Sequence, residues 1–248
     1  ESPLVVAGAL GPLLATLAMF AWTRSPALWR DYGDRLINFK RFDLATLPVL
    51  IFLMPVTIVI SILLSILFGQ SPDQLTFTLQ GNFSAGGAPV LLLIILIPAL
   101  EEMGWRGYGV DSLWSRCNLL LTSLLFGVLW GLWHLPIFFI NGYYENQLLS
   151  NWIYTANFFV SVIPTAFILN WLYARNNRSI IACFLFHMIT DVSAEMFAAQ
   201  QPAKCIETGI LILVAIWLVY KDREVFMPKD ARARPAIYDD ANAGAGAD

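Results

Sequence analysis

The sequence is poor in charge, in histidine and in cysteine. Only 13% of its 248 residues are charged, roughly half the share of a typical soluble domain, whereas 58% are hydrophobic. This composition argues against an ordinary soluble globular protein. A net charge of -3 and the lack of a basic cluster with interleaved aromatic residues give no indication of a nucleic-acid partner. The three cysteines have no CxxC spacing, so we interpret them as apolar packing residues and expect neither a disulfide framework nor a zinc knuckle.

Apolar runs long enough to cross a membrane, about 18 residues or more, recur along the chain. They predict an all-α, polytopic transmembrane bundle of seven spans. The third span contains charged residues, and we predict that it forms one long helix that carries them into the protein interior. The predicted spans are 3–22, 44–69, 87–113, 117–141, 151–174, 179–200 and 203–220.

Two segments follow from this pattern. Residues 1–220 form the predicted membrane domain, and residues 221–248 are polar and are predicted to be a disordered cytoplasmic tail. The sequence begins without methionine, so we expect further residues before Glu1 in the natural protein.

The basic residues predict the orientation. Fourteen of the 15 Lys and Arg residues lie in alternate connections and in the tail, and Lys204 is the exception. Since cytoplasmic connections are rich in Lys and Arg, the amino end is predicted outside and the carboxyl end in the cytoplasm. Within the first connection, residues 26–41 place apolar side chains at near-helical spacing and predict an interfacial amphipathic helix. The alternative is a solvated basic loop.

Several ionisable residues are predicted at membrane depth, where each is unfavourable by about 2.5–3.5 kcal/mol and therefore requires an explanation. They are Glu101, Glu102, Arg106, His134, His187, Asp191 and Glu195. They include both histidines of the chain, each with a carboxylate nearby, and this coincidence favours a function. The structural alternatives are a buried His187–Asp191 pair, a Glu102–Arg106 ion pair, and a Trp-rich packing or lipid-facing surface around His134.

Spacing indicates which of these side chains can meet. Glu101 is 16 residues before Cys117, at the turn between the third and fourth spans, and His134 is 17 residues after it. At about 1.5 Å per residue, two antiparallel helices bring them to nearly the same depth. Glu102 and Arg106 are one helical turn apart and can form an ion pair. His187 is about 10 Å shallower by rise alone, so a tilted helix or a protruding turn is needed to align it.

At these residues the sequence resembles the CPBP intramembrane protease family, which includes the type II CAAX prenyl endopeptidases and the Abi proteins. Three family motifs occur in order over residues 90–200: Glu-Glu-x-x-x-Arg at 101–106, an aromatic residue four before His134, and His-x-x-x-Asn/Asp at 187–191. The aromatic position is Trp130 where the family has Phe, and the last position is Asp191.

The resemblance implies hydrolysis of peptide bonds within the membrane, in a cavity open toward the cytoplasm. It implies that Glu101 and His134 activate water and that His187 and Asp191 stabilise the oxyanion. The one-turn spacing of Glu102 and Arg106 assigns them to a supporting ion pair. An ionised Asp191 cannot donate a hydrogen bond, so we expect it to orient His187, which then donates. Family members commonly have eight spans, which predicts one more before residue 1.

No cofactor is expected, although two histidines and two carboxylates have the chemistry of zinc ligands. Glu101, His134 and His187 would be those ligands if a metal were bound. The sequence has no His-Glu-x-x-His motif, and Glu101 is needed as a free base, so we favour hydrolysis without metal.

The expected partners are membrane lipid and a peptide or lipidated-protein substrate. Two other functions remain open. One is a non-catalytic membrane binding or scaffold protein that retains the protease fold. The other is a transporter with Glu101, His134 and Asp191 as a proton relay, but the sequence shows no internal repeat.

Overall fold

The computed structural model describes residues 3–77 and 90–229, and the side chains of residues 3–7 and 90–91 lie outside that description. The described chain is helical, apart from turns and one isolated bridge between Phe77 and Phe197. The helices are α1 Pro3–Thr23, α2 Pro26–Ile37, α3 Leu47–Leu67, α4 Val90–Gly104, α5 Val110–Trp114, α6 Leu119–His134, α7 Tyr144–Leu148, α8 Trp152–Arg175, α9 Ile180–Met196, α10 Gln201–Lys221 and α11 Arg223–Phe226.

The all-α prediction is confirmed, and each of the seven predicted spans corresponds to a helix. Four stretches of the described chain are long and apolar enough to cross a membrane by length and composition: Leu44–Leu67, Leu119–Phe139, Trp152–Arg175 and Gln201–Lys221. The helices at the other three predicted spans are α1, α4 with its continuation, and α9. The first three residues of the predicted third span, 87–89, lie outside the described residues.

The outer surface of the bundle is apolar. Trp22 is 85% exposed and Leu67 is 80% exposed. Large apolar side chains at such exposure mark a surface that is covered by lipid or a partner. Polar residues are buried inside the bundle instead, which is the inverse of a soluble protein.

The third predicted span is one continuous helical segment with an irregular centre. A π-helical turn, Trp105–Gly109, joins α4 to α5. The Arg35 guanidinium donates to the backbone oxygens of Arg106 at 2.6 Å and Gly107 at 3.0 Å. The Tyr173 hydroxyl also donates to the Arg106 oxygen, at 3.1 Å. These contacts stabilise a local geometry that is rare in proteins and frequent at functional sites.

The segment between the first two predicted spans is a helix, so the prediction of an amphipathic helix is confirmed and the solvated-loop alternative is wrong. Ser25 caps α2 by accepting a hydrogen bond from the Leu28 amide. The helix buries Leu28, Tyr32 and Arg35 against the bundle. Arg35 pairs with Asp111 at 2.9 Å, and Arg178 pairs with the same carboxylate at 2.7 Å.

The helix α1 crosses α4 at very short range. A Cβ added at Gly104 would overlap the backbone of Pro12 and Leu13, so only glycine permits this approach. Thr16 donates to the Gly104 carbonyl at 2.8 Å at the same crossing. Around this pair, α9 packs between α3 and α4, and α8 packs against α6 and α10. The crossing fixes the height of α4, which carries both glutamates.

The prediction of a disordered tail from residue 221 is wrong for its first residues. The chain continues into α11, where Phe226 is fully buried. Asp222 accepts a hydrogen bond from the Trp171 indole at 2.6 Å, which ties this end to α8. Residues 230–248 lie outside the described part of the chain.

Candidate active site

Glu102 of α4 and Arg106 of the π-helical turn form a fully buried ion pair. Arg106 Nη1 lies 2.8 Å from Glu102 Oε2 and donates to Oε1 at 3.0 Å. Arg106 also donates to the Asn170 side chain at 3.1 Å, and its guanidinium lies 4.5 Å from the centre of the Phe126 ring. The contact predicted from the four-residue spacing is therefore present. Because both charges are removed from water, the loss of either one leaves the other buried without its ion-pair partner.

Glu102 has a second partner that the sequence did not indicate. Its Oε1 lies 2.9 Å from His187 Nδ1, on α9. The predicted partner, Asp191, lies 3.9 Å from His187 Nε2, beyond hydrogen-bond distance. The expectation that Asp191 orients His187 is wrong in this geometry. Glu102 is the carboxylate that orients the ring, since it contacts Nδ1 directly and is itself held by Arg106.

Trp130 connects the remaining site residues. Its indole Nε1 donates to Glu101 Oε2 at 3.1 Å, and its backbone oxygen accepts from His134 Nδ1 at 2.7 Å. Its ring lies edge-on to His187, with 5.3 Å between ring centres. One residue thus contacts Glu101, His134 and His187. The structural alternative of a packing or lipid-facing surface does not account for the polar contacts of Trp130, which is 4% exposed.

Two adjoining cavities meet at these residues. The larger, of about 440 Å³, extends between α1, α4 and the segment after α6, and Glu101 lies in its wall. The smaller, of about 240 Å³, extends between α3, α8 and α10. Both are lined by His134, His187 and Asp191. The sequence predicts a shallower position for His187 than for His134, yet both side chains line the same two cavities.

The position of the cavities conflicts with one sequence expectation. Their lining includes Gly8 near the start of α1, residues 143–145 before α8, and Lys204 at the start of α10. These residues lie at the end of the bundle where the connections carry few Lys and Arg residues. Among the described residues, the basic connections contribute none of the lining. Cavities that open at this end face away from the cytoplasm wherever the basic connections are cytoplasmic.

The site does not form a metal-binding cluster. Within the described ranges, no three His, Cys, Asp or Glu side chains are grouped so that they could hold an ion. Glu101, His134 and His187 were the ligands expected if a metal were bound. These side chains line the cavity walls without converging on one point, so among the described residues the donor set does not form the conditional site.

Two comparisons with known proteins identify the family of the chain. The profile of the family "Type II CAAX prenyl endopeptidase Rce1-like" matches residues 84–193, the segment that carries all three motifs. The "CAAX prenyl protease 2" of Methanococcus maripaludis is 40% identical over 227 residues, which cover 91% of this chain and 84% of that protein. The chain thus belongs to the type II CAAX prenyl endopeptidase family and is an integral membrane protease.

Proposed function

We propose that the chain hydrolyses a peptide bond near the carboxyl terminus of a lipidated, CAAX-type or membrane-embedded substrate, using water activated by Glu101 and His134. The observation that carries this proposal is the set of contacts around Trp130, which aligns Glu101, His134 and His187 along the cavity walls. The relative from Methanococcus maripaludis is named a CAAX prenyl protease, and this name supports a CAAX-type substrate for the chain.

Glu101 is the proposed general base. It accepts a proton from a water molecule as the water oxygen bonds to the carbonyl carbon of the scissile peptide and the carbonyl electron pair moves to its oxygen. Protonated Glu101 then returns the proton to the amide nitrogen while the C–N bond breaks, which yields a carboxylic acid and an amine. His134 donates through Nδ1 to the Trp130 oxygen, so its Nε2 is free to hold the water.

His187 is the proposed donor to the oxyanion. With Nδ1 bonded to Glu102, Nε2 can donate only when the ring is an imidazolium. The carboxylates of Glu102 and Asp191 stabilise that positive charge from two sides. Asp191 in this scheme contributes charge, and orientation comes from Glu102. Donors aimed at developing charge in a dry site typically contribute a factor of about 10²–10³ in rate.

We propose that this hydrolysis proceeds without a metal. Glu101 and His134 both contact Trp130 and line the larger cavity, so both can reach a water molecule there, and the described side chains are not grouped as metal ligands. Dialysis against a chelator is expected to leave the rate unchanged. A loss of activity that zinc restores would contradict this part of the proposal.

We also propose that the cavity opens toward the cytoplasm. The family resemblance implies this opening, and the same resemblance accounts for the site. The opening requires the basic connections to face away from the cytoplasm, against the usual charge bias. Single cysteines at Asn141, near the cavities, and at Asn177, in a basic connection, test this with a membrane-impermeant maleimide. Labelling of Asn141→Cys only from the cytoplasmic side supports the proposal, and labelling of Asn177→Cys only from that side contradicts it.

The experiment that tests the function uses purified protein in lipid nanodiscs and a membrane-tethered peptide, with and without a prenyl group on its cysteine. Wild type is expected to release the carboxyl-terminal fragment, identified by mass, whereas Glu101→Ala and His134→Ala do not. Equal release by all three proteins, or release by none, would favour the non-catalytic binding protein.

A further inference from the structure

Among the residues that the structure describes, one basic side chain outside the proposed catalytic machinery lines the cavities. Lys204, in the first turn of α10, is the only Lys or Arg among the described residues that line either cavity, and it borders both. Its ammonium group lies 4.1 Å from the centre of the Tyr144 ring. None of the ion pairs found among the described residues includes Lys204. Glu207, one turn further along α10, interacts with the Lys204 charge, but among these residues no ion pair at contact distance has to break before a bound molecule can pair with the ammonium group.

The charges around Lys204 favour the binding of an anion at this position. The other ionisable residues on the cavity walls, besides the histidines and tyrosines, are all acidic: Glu101, Glu145, Asp191, Glu195 and Glu207. Glu207, one turn after Lys204, accepts a hydrogen bond from Thr57 at 3.3 Å. Since like charges repel, Lys204 is the one favourable position for a carboxylate apart from the His187 ring, which the proposed mechanism assigns to the oxyanion.

We propose that Lys204 binds the terminal carboxylate of the substrate tail and so selects bonds that lie a fixed distance from a free carboxyl terminus. This rests on the proposed function. In a CAAX-type tail three residues follow the scissile bond, and extended they reach about 10 Å. Lys204 borders the same cavities as His134 and His187, so the tail stays within one continuous space.

The test compares two peptides that differ only at their last group, a free carboxylate or a carboxamide. Wild-type protein is expected to cleave the acid with a kcat/KM about 10–100-fold above that of the amide, mainly through KM, as for a hydrogen bond to a charged group. Lys204→Gln is expected to lose this preference while it cleaves the amide as wild type does. Lys204→Arg should retain part of the preference.

Lys221→Gln, at the opposite end of the same helix, is the matched control and should keep the full preference. Cleavage of the amide by Lys204→Gln also reports that the variant is folded. Equal cleavage of acid and amide by wild type would overturn the inference without any variant, and so would a preference that survives in Lys204→Gln. Absence of cleavage of both peptides by wild type would instead refute the proposed function, and the inference with it.

Discussion

The buried pair of Glu102 and Arg106 gives a prediction whose size follows from the structure. Arg106→Met keeps most of the side-chain volume beside Phe126 but removes the 2.8 Å contact to Glu102 and the 3.1 Å bond to Asn170. Both partners of the ion pair have no exposed side-chain area. Breaking such a pair from one side costs about 3–5 kcal/mol, because the buried Glu102 carboxylate is left with the His187 ring as its remaining partner of opposite charge. The equilibrium constant for unfolding should rise by about 10²–10⁴.

The matched control removes both charges. Glu102→Gln combined with Arg106→Met leaves no isolated charge, so most of the lost stability should return. Equilibrium unfolding in mixed micelles, followed by tryptophan fluorescence, measures wild type, both single variants and the double variant as a cycle. The double variant should still be poorly active, since the His187 ring has lost its charged partner. The reasoning is refuted if Arg106→Met unfolds within about 0.5 kcal/mol of wild type, or if the two single losses simply add.

Three further changes test separate contacts. Trp130→Phe removes the indole donor to the proposed base and should lower kcat about 10–100-fold with little change in KM, and an unchanged kcat would contradict its role. Gly104→Ala should destabilise the protein by about 1–3 kcal/mol because its Cβ overlaps α1, whereas Gly33→Ala, with open space around it, should not destabilise it; equal unfolding midpoints would contradict the close crossing. Arg35→Gln should cost about 3–5 kcal/mol and the exposed Arg30→Gln less than about 0.5 kcal/mol, and comparable effects in a thermal melt would refute the buried network.

The sequence was sufficient for the helices because the lipid solvent leaves few alternatives. A long apolar run must satisfy its own backbone, and a helix does so within one segment. Local contacts can also be predicted from the sequence, since the spacing of Glu102 and Arg106 alone places them one turn apart. The amphipathic helix α2 followed from the same periodicity.

Long-range contacts could not be predicted from the sequence in this way. Glu102 and His187 are 85 residues apart, and nothing in their separate spans indicates that they meet. The one-turn spacing of His187 and Asp191 predicts a direct contact, but the two side chains lie 3.9 Å apart. The π-helical turn depends on donors from Arg35 and Tyr173, which lie on two other helices. The aromatic position of the second motif was the one signal that pointed to Trp130.

The central claim is that Glu101 is the base that activates water in the shared cavity. The most direct measurement is kcat for Glu101→Gln on a membrane-tethered peptide in nanodiscs, beside Glu224→Gln, the same change at an exposed position of α11. A positioned general base contributes a factor of about 10²–10⁴. Glu101→Gln is predicted to lose at least about a hundredfold in kcat while Glu224→Gln matches wild type. A Glu101→Gln rate within tenfold of wild type, in a protein that melts normally, would contradict the account.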